Sequence, residues 1–183
     1  MKKHHGFTLN ELIITLAIMA VLLGLAIPAF SSLMRSIRLT TIHNELIADL
    51  NYARSEAVKR ESPVIVKATA APFWEMGWTV EVVNCTANCL LRVHEPLTGN
   101  HTLRGKIEID NKQELLQSIT FLPSGGLDFG GYLTLCDTST TPTPEPGYAK
   151  QITFNRVSHF RSVKDTNNNQ LPDTNGIDIT TCE

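Results

Sequence analysis

The stretch from Leu12 to Phe30, LIITLAIMAVLLGLAIPAF, holds nineteen residues without a charge. As an α-helix it would be about 28 Å long, close to the hydrocarbon thickness of a bilayer. Lys2 and Lys3 precede it. The positive-inside tendency keeps that end in the cytoplasm and sends the rest of the chain outward. One carboxylate, Glu11, stands at the start of the run, and the next basic residue after Lys3 is Arg35. An unpaired carboxylate in hydrocarbon costs about 2–4 kcal/mol, so such residues usually mark function and have a partner. Either Glu11 sits at the membrane edge, or its partner belongs to another molecule.

The rest of the 183-residue chain has the make-up of one globular domain, with 42% hydrophobic and 19% charged residues overall. The formal charge is −2, and without Lys2 and Lys3 it becomes −4, with 14 basic against 18 acidic residues. A wholesale basic binder is therefore excluded, and any attraction to nucleic acid must be local. The chain has four cysteines. Carried outward with the domain they enter an oxidising compartment, where disulfides are the default.

Beyond Pro28, Met34, Ile37, Ile42, Leu46, Leu50, Ala53 and Ala57 recur at mostly helical spacing. The pattern predicts an amphipathic helix to about Arg60, ended before Pro63. Segment 31–61 is thus expected to pack on a domain formed by 62–183. Within that domain short alternating runs read as strands: PVIVKA, WTVEVV, CLLRVH, KIEI, SITFL, YLTLC, KQITF and HFRSV. With no helix of any length between them, these should pair antiparallel as a sheet or sandwich against the helix. The fold class expected is α+β.

A short polar head, MKKHHG, precedes the apolar run, with a break at Gly6–Phe7. This arrangement resembles the prepilin leader of type IV pilins and of the pseudopilins of type II secretion. Gly6, Phe7, Thr8, Leu9 and Glu11 match that motif position by position; Asn10 stands where a hydrophobic residue is commoner. The resemblance implies a leader at 1–6, removed by the prepilin peptidase, which also methylates Phe7. It implies a membrane-spanning segment at 7–30, kinked at Pro28, and assembly with other pilins or pseudopilins through the helix. Glu11 would then meet the amino terminus of a neighbouring subunit, since two charges costly alone in hydrocarbon attract strongly there. The alternative is that Glu11 meets its own amino terminus or lipid headgroups. LNYARSEAVKRESPV, WEMGW and ITFLPSGGLDFGGYLTLC narrow the likeness to minor pilins and pseudopilins of the FimT/GspH type. That implies a single-pass protein of the inner membrane with a periplasmic domain, later placed in a pilus or pseudopilus.

Four cysteines allow three connectivities. The pairing favoured joins Cys85 to Cys89 and Cys136 to Cys182, which would tie the tail to the sheet. A metal site from Cys85, Cys89 and His94 lacks a fourth ligand. Trp74 and Trp78 read as core or edge anchors. DTNNNQLPD places Asp165, Asn167, Asn169 and Asp173 at alternating offsets of a calcium loop, but without the turn glycine or a terminal glutamate. An ion-free polar turn accounts for the same residues.

Between Tyr148 and Lys164 stand Lys150, Arg156, His159, Arg161 and Lys164 with no acid among them. A basic hairpin of this kind can engage phosphates; a solvated basic strand is the competing reading. FimT-like minor pilins are known as DNA-binding subunits of pili used in natural transformation. Their signature is glycine, arginine, any residue, arginine. Here the match is SHFR: Ser158 replaces the glycine, His159 the first arginine, and Arg161 is kept. Neutral histidine carries no charge above its ordinary pKa near 6.5, so the resemblance implies weaker, pH-sensitive DNA binding. No nucleophile, metal or phosphate-cradling motif emerges, so neither an enzyme nor a cofactor is expected.

Overall fold

The computed structural model describes residues 7–109, 112–139, 143–174, 177–179 and 181–182. In chain order the elements are α1 (Leu9–Arg60), β1 (Val64–Ala70), β2 (Phe73–Val82), β3 (Leu90–His94), β4 (His101–Ile109), β5 (Lys112–Leu115) and β6 (Ser118–Phe121). They continue with β7 (Gly131–Asp137), β8 (Ala149–Phe154), β9 (Phe160–Ser162), β10 (Asp173–Thr174) and β11 (Ile177–Asp178). All eight expected strands are present; β5, β10 and β11 are additional.

The chain forms two compact units, Met1–Ile37 and Arg38–Glu183. In the first, α1 is continuous through position 28, and its large apolar side chains from Phe7 to Ile37 are exposed. It is the one helix among the described residues long and apolar enough to cross a membrane. The leader with Gly6, and the side chain of Pro28, lie outside the described residues.

In the second unit, α1 buries Leu39, Ile42, Leu46, Leu50, Ala53 and Ala57, spaced three or four apart as one face of a helix requires. The buried face thus opens at Leu39, and Met34 and Ile37, read from sequence as part of the same stripe, are exposed. The helix ends where the sequence predicts, for a reason the sequence hides. Glu61 takes a left-handed φ of 51°. Ser62 N–H donates to Ala57 O at 3.3 Å and Glu61 N–H to Val58 O at 3.3 Å, the two bonds that close a helix C-terminus around such a residue. Pro63 follows.

Two antiparallel sheets share a core with this helix face. One has the order β3-β2-β1-β6, the other β5-β4-β7-β8-β9, with β10-β11 a separate ribbon. Alternation sets the faces. Val64, Val66 and Ala68 of β1 are buried, as are Leu133 and Leu135 of β7 and Ile152 and Phe154 of β8. Trp74 and Trp78 are fully buried in the same core. Trp74 Nε1 donates to Leu116 O at 2.7 Å, and Trp78 Nε1 to Asp49 Oδ2 at 2.9 Å. Buried indoles need such acceptors. Asp49 also accepts from Arg92 Nη1 at 2.6 Å, and the Arg92 guanidinium lies 4.2 Å from the centre of the Tyr52 ring. The His94 ring stacks on Trp78 at 3.8 Å. This polar cluster ties the helix to β2 and the edge strand β3.

Both disulfides form with the favoured pairing, Cys85–Cys89 and Cys136–Cys182. The second packs with Ala149, Leu171 and Ile179 in a small cluster of its own. Closing a loop with a sequence separation of 46 stabilises the folded state by about 4 kcal/mol in the chain-entropy view.

Candidate functional site

At the start of α1, Thr8 N–H and Thr8 Oγ1 both donate to Glu11 Oε2 at 2.9 Å, while Glu11 N–H donates to Thr8 Oγ1 at 3.3 Å. This is a reciprocal capping box, in which the side chain of each residue accepts from the otherwise unpaired backbone N–H of the other. The carboxylate therefore has hydrogen-bond partners within its own chain, and both are groups of a neutral residue. The signal was present in Thr8-Leu9-Asn10-Glu11, a threonine three residues before a glutamate. The box leaves the charge of Glu11 uncompensated, because Thr8 is neutral.

The five basic residues read as one patch do not share one surface. Strand β8 alternates, so Lys150 lies on the side of Ile152 and Phe154, facing the core, while Thr153 points to the other face. Lys150 is half-buried near His43 of the helix. Burial, and then the charge of Lys150, push the His43 imidazole down to about 4. Arg161 pairs with Thr153 across the β8–β9 hairpin and so belongs to the outer face; both Arg161 and Lys164 are exposed.

Arg156 and His159 sit in the hairpin loop, both exposed. The loop is held by its backbone. Ser158 N–H donates to Asn155 O at 2.9 Å, His159 N–H donates to Asn155 Oδ1 at 3.0 Å, and Leu127 N–H donates to Arg156 O at 2.7 Å. The helix contributes a further cation that sequence reasoning missed. Arg54 Nη1 donates to Ser158 O at 3.4 Å, and the same guanidinium lies over Gly125, whose φ is 78°. A Cβ at Gly125 would stand 3.1 Å from Val58 and 3.4 Å from Arg54 Nε, so a side chain there would crowd this contact. Arg54 thus reaches the backbone of the loop that carries Arg156 and His159. Nothing in sequence spacing links Arg54 to residues a hundred positions away.

Ser158 has a φ of 55°, and its hydroxyl is buried with no hydrogen-bond partner among the described residues. Glycine suits such a backbone, which is the residue the resembling signature places there. Ser158→Gly is expected to raise the melting temperature. It removes a left-handed cost of about 1–2 kcal/mol and an unsatisfied hydroxyl worth about 1–3 kcal/mol, against about 0.5–1 kcal/mol of added chain entropy. A lowered melting temperature in a thermal scan would refute this account of the loop.

The oxygens of the calcium-loop candidate are engaged in turns. Asp165 accepts from Asn169 N–H at 3.3 Å and Gln170 N–H at 2.7 Å, and Asn167 Oδ1 from Asn169 N–H at 3.1 Å. Asn169 Oδ1 accepts from Leu171 N–H at 2.8 Å, and Asp173 accepts twice from Thr166. These are side chains folding their own backbone. Among the described residues no three His, Cys, Asp or Glu side chains converge as metal ligands.

Comparison with known proteins accords with this architecture. The family model described as type II transport protein GspH matches residues 43–158, and the prokaryotic N-terminal methylation motif matches residues 1–27. No curated protein matches the sequence significantly. Among solved structures, the Pseudomonas aeruginosa type IV minor pilin FimU superposes with a TM-score of 0.56 at 17% identity, covering 79% of this chain and 95% of its own. The minor pseudopilin EpsH from the type 2 secretion system of Vibrio cholerae superposes with a TM-score of 0.51 at 11% identity, covering 68% and 94%. Identities this low speak for the fold alone. The family match covers more than half the sequence and is joined to a methylation motif at the amino end, so the chain belongs to the GspH family of minor pilins and pseudopilins.

Proposed function

We propose that this protein is a minor subunit of a type IV pilus, held in the inner membrane by its apolar helix until it is drawn into the filament. The observation that carries this reading is the row of exposed apolar side chains from Phe7 to Ile37, in a chain whose other unit has a complete core of its own. Such a surface is stable in lipid or against other helices, and not in water. In this reading the prepilin peptidase cuts after Gly6 and methylates Phe7. The charge of Glu11, left over by its capping box, then pairs with the amino terminus of a neighbouring subunit.

The exposed domain in this reading binds DNA through the hairpin tip. Arg54 and Arg156 supply fixed charges, with His159 in the same loop as Arg156. The full chain in neutral detergent should bind duplex DNA at low salt, with a log–log salt slope of about −2 to −3 for two or three phosphate contacts. Arg54→Gln with Arg156→Gln should weaken binding about tenfold or more, near 1.4 kcal/mol. Absence of binding at low salt, or binding indifferent to both substitutions, rejects the DNA role.

A second reading, favoured by the description of the matching family, is a pseudopilin of a type II secretion system. A deletion strain that loses protein export while keeping twitching and transformation would decide for it. The opposite phenotype decides for the pilus.

A further inference from the structure

Beside the edge strand β9 lies a cleft of about 510 Å³ whose lining includes Thr153, Arg161, Ser162, Lys164, Thr166 and Asp173. Its volume is in the range of small-ligand sites. Its chemistry is one-sided. The one acid in the lining, Asp173, is 3% exposed, and both of its oxygens are held by Thr166: Oδ1 by the hydroxyl at 2.6 Å and Oδ2 by the backbone N–H at 2.5 Å. Arg161 and Lys164, in contrast, are exposed, and among the described residues neither forms an ion pair.

Two exposed cations three residues apart thus outnumber the single buried acid beside them, in a chain of net charge −2. Placed in a concave setting, their field is focused more strongly than it would be on a flat face. The hydroxyl of Ser162 adds a neutral donor, while that of Thr153 donates to Arg161 O at 3.4 Å. Among the described residues no aromatic side chain lines the cleft. An anionic oxygen cluster finds a guanidinium fork, an ammonium and a hydroxyl donor, groups that recognise phosphate.

We infer that this cleft is a binding site for a single phosphate group, free or carried by a small molecule. Its lining includes neither Arg54 nor Arg156, and it does not depend on the DNA reading. The recognised group is the phosphate; inorganic phosphate and a 5′-mononucleotide are its two nearest sources.

The test is calorimetric titration of the full chain in neutral detergent at low salt, with inorganic phosphate, with a 5′-mononucleotide and with duplex DNA as separate probes. Saturable binding of at least one small probe is expected, weakened about tenfold in Arg161→Gln with Lys164→Gln. The same small-probe binding is expected to be unchanged in Arg54→Gln with Arg156→Gln. Equal binding of phosphate and mononucleotide supports a site for the phosphate alone, and preference for the mononucleotide supports one that also holds the sugar. Absence of saturable small-probe binding to the unmodified chain overturns the site, as does small-probe binding untouched in the cleft variant. Duplex binding that weakens in the cleft variant while neither small probe binds also overturns it, and assigns Arg161 and Lys164 to the DNA surface instead. Both substituted side chains are exposed, and an unchanged melting temperature checks that the variant is folded.

Discussion

Glu11→Ala is expected to stop the protein entering filaments, lowering its incorporation at least about tenfold while its abundance in the membrane stays near normal. Alanine removes two things at once. The capping box is worth about 1 kcal/mol to the first turn of the helix. The charge is worth more if its partner is an amine in the same low-dielectric layer. Glu11→Gln separates the two, because glutamine can still accept from Thr8 and complete the box but carries no charge. Thr8→Val does the converse in part, removing the two bonds made by the threonine hydroxyl while keeping the backbone bond and the charge. If charge pairing drives assembly, Glu11→Gln should fail almost as completely as alanine, and Thr8→Val should assemble with a modest loss. Immunoblots of sheared filaments against whole membranes give the ratio. Normal incorporation of Glu11→Gln would show that the box alone suffices and that no intersubunit pair exists.

Trp78→Ala should be the most damaging single change in the folded domain, destabilising it by about 3–5 kcal/mol. The indole is fully buried, stacks on His94 and donates to Asp49. Its loss opens a cavity and leaves a buried carboxylate with Arg92 as its other partner. A buried acid stripped of donors is costly in a way that a lost methyl group is not. Arg92→Ala should cost less, since that side chain is half-exposed and water can replace it at Asp49. A thermal or denaturant melt of both variants and the double variant would measure the coupling. Equal losses for Trp78→Ala and Trp78→Phe would indicate that the hydrogen bond to Asp49 matters more than the volume filled.

The membrane-length run, the amino-terminal methylation motif, the helix end before Pro63 and the eight strands were all legible in the sequence. Each rests on a local signal: uncharged length, a proline, alternation with period two. The missed strands show where such signals fade. β5 is KQEL, four residues with three polar side chains, and it forms because β4 offers a partner edge, not because its own composition favours a strand. The pairing of the cysteines was one of three possibilities, and the sheet chose it by bringing Cys136 and Cys182 to a Cα separation of 5.9 Å.

The basic patch marks the boundary most sharply. Lys150, Arg156, His159, Arg161 and Lys164 are close in sequence, but the pleat of β8 and β9 sends them to different faces. Lys150 goes inward beside His43, Arg161 and Lys164 go to a cleft, and Arg156 and His159 go to the loop. Arg54 joins that loop from a helix far away in the chain. Sequence by itself determined what is written in short-range pattern: an apolar helix of bilayer length, the end of that helix before Pro63, and the family to which the chain belongs. Tertiary structure alone decided which charges share a surface and which acid the buried tryptophan meets, because neighbours across a sheet or over a helix are set by packing and register, and neither is encoded in the spacing of residues along the chain.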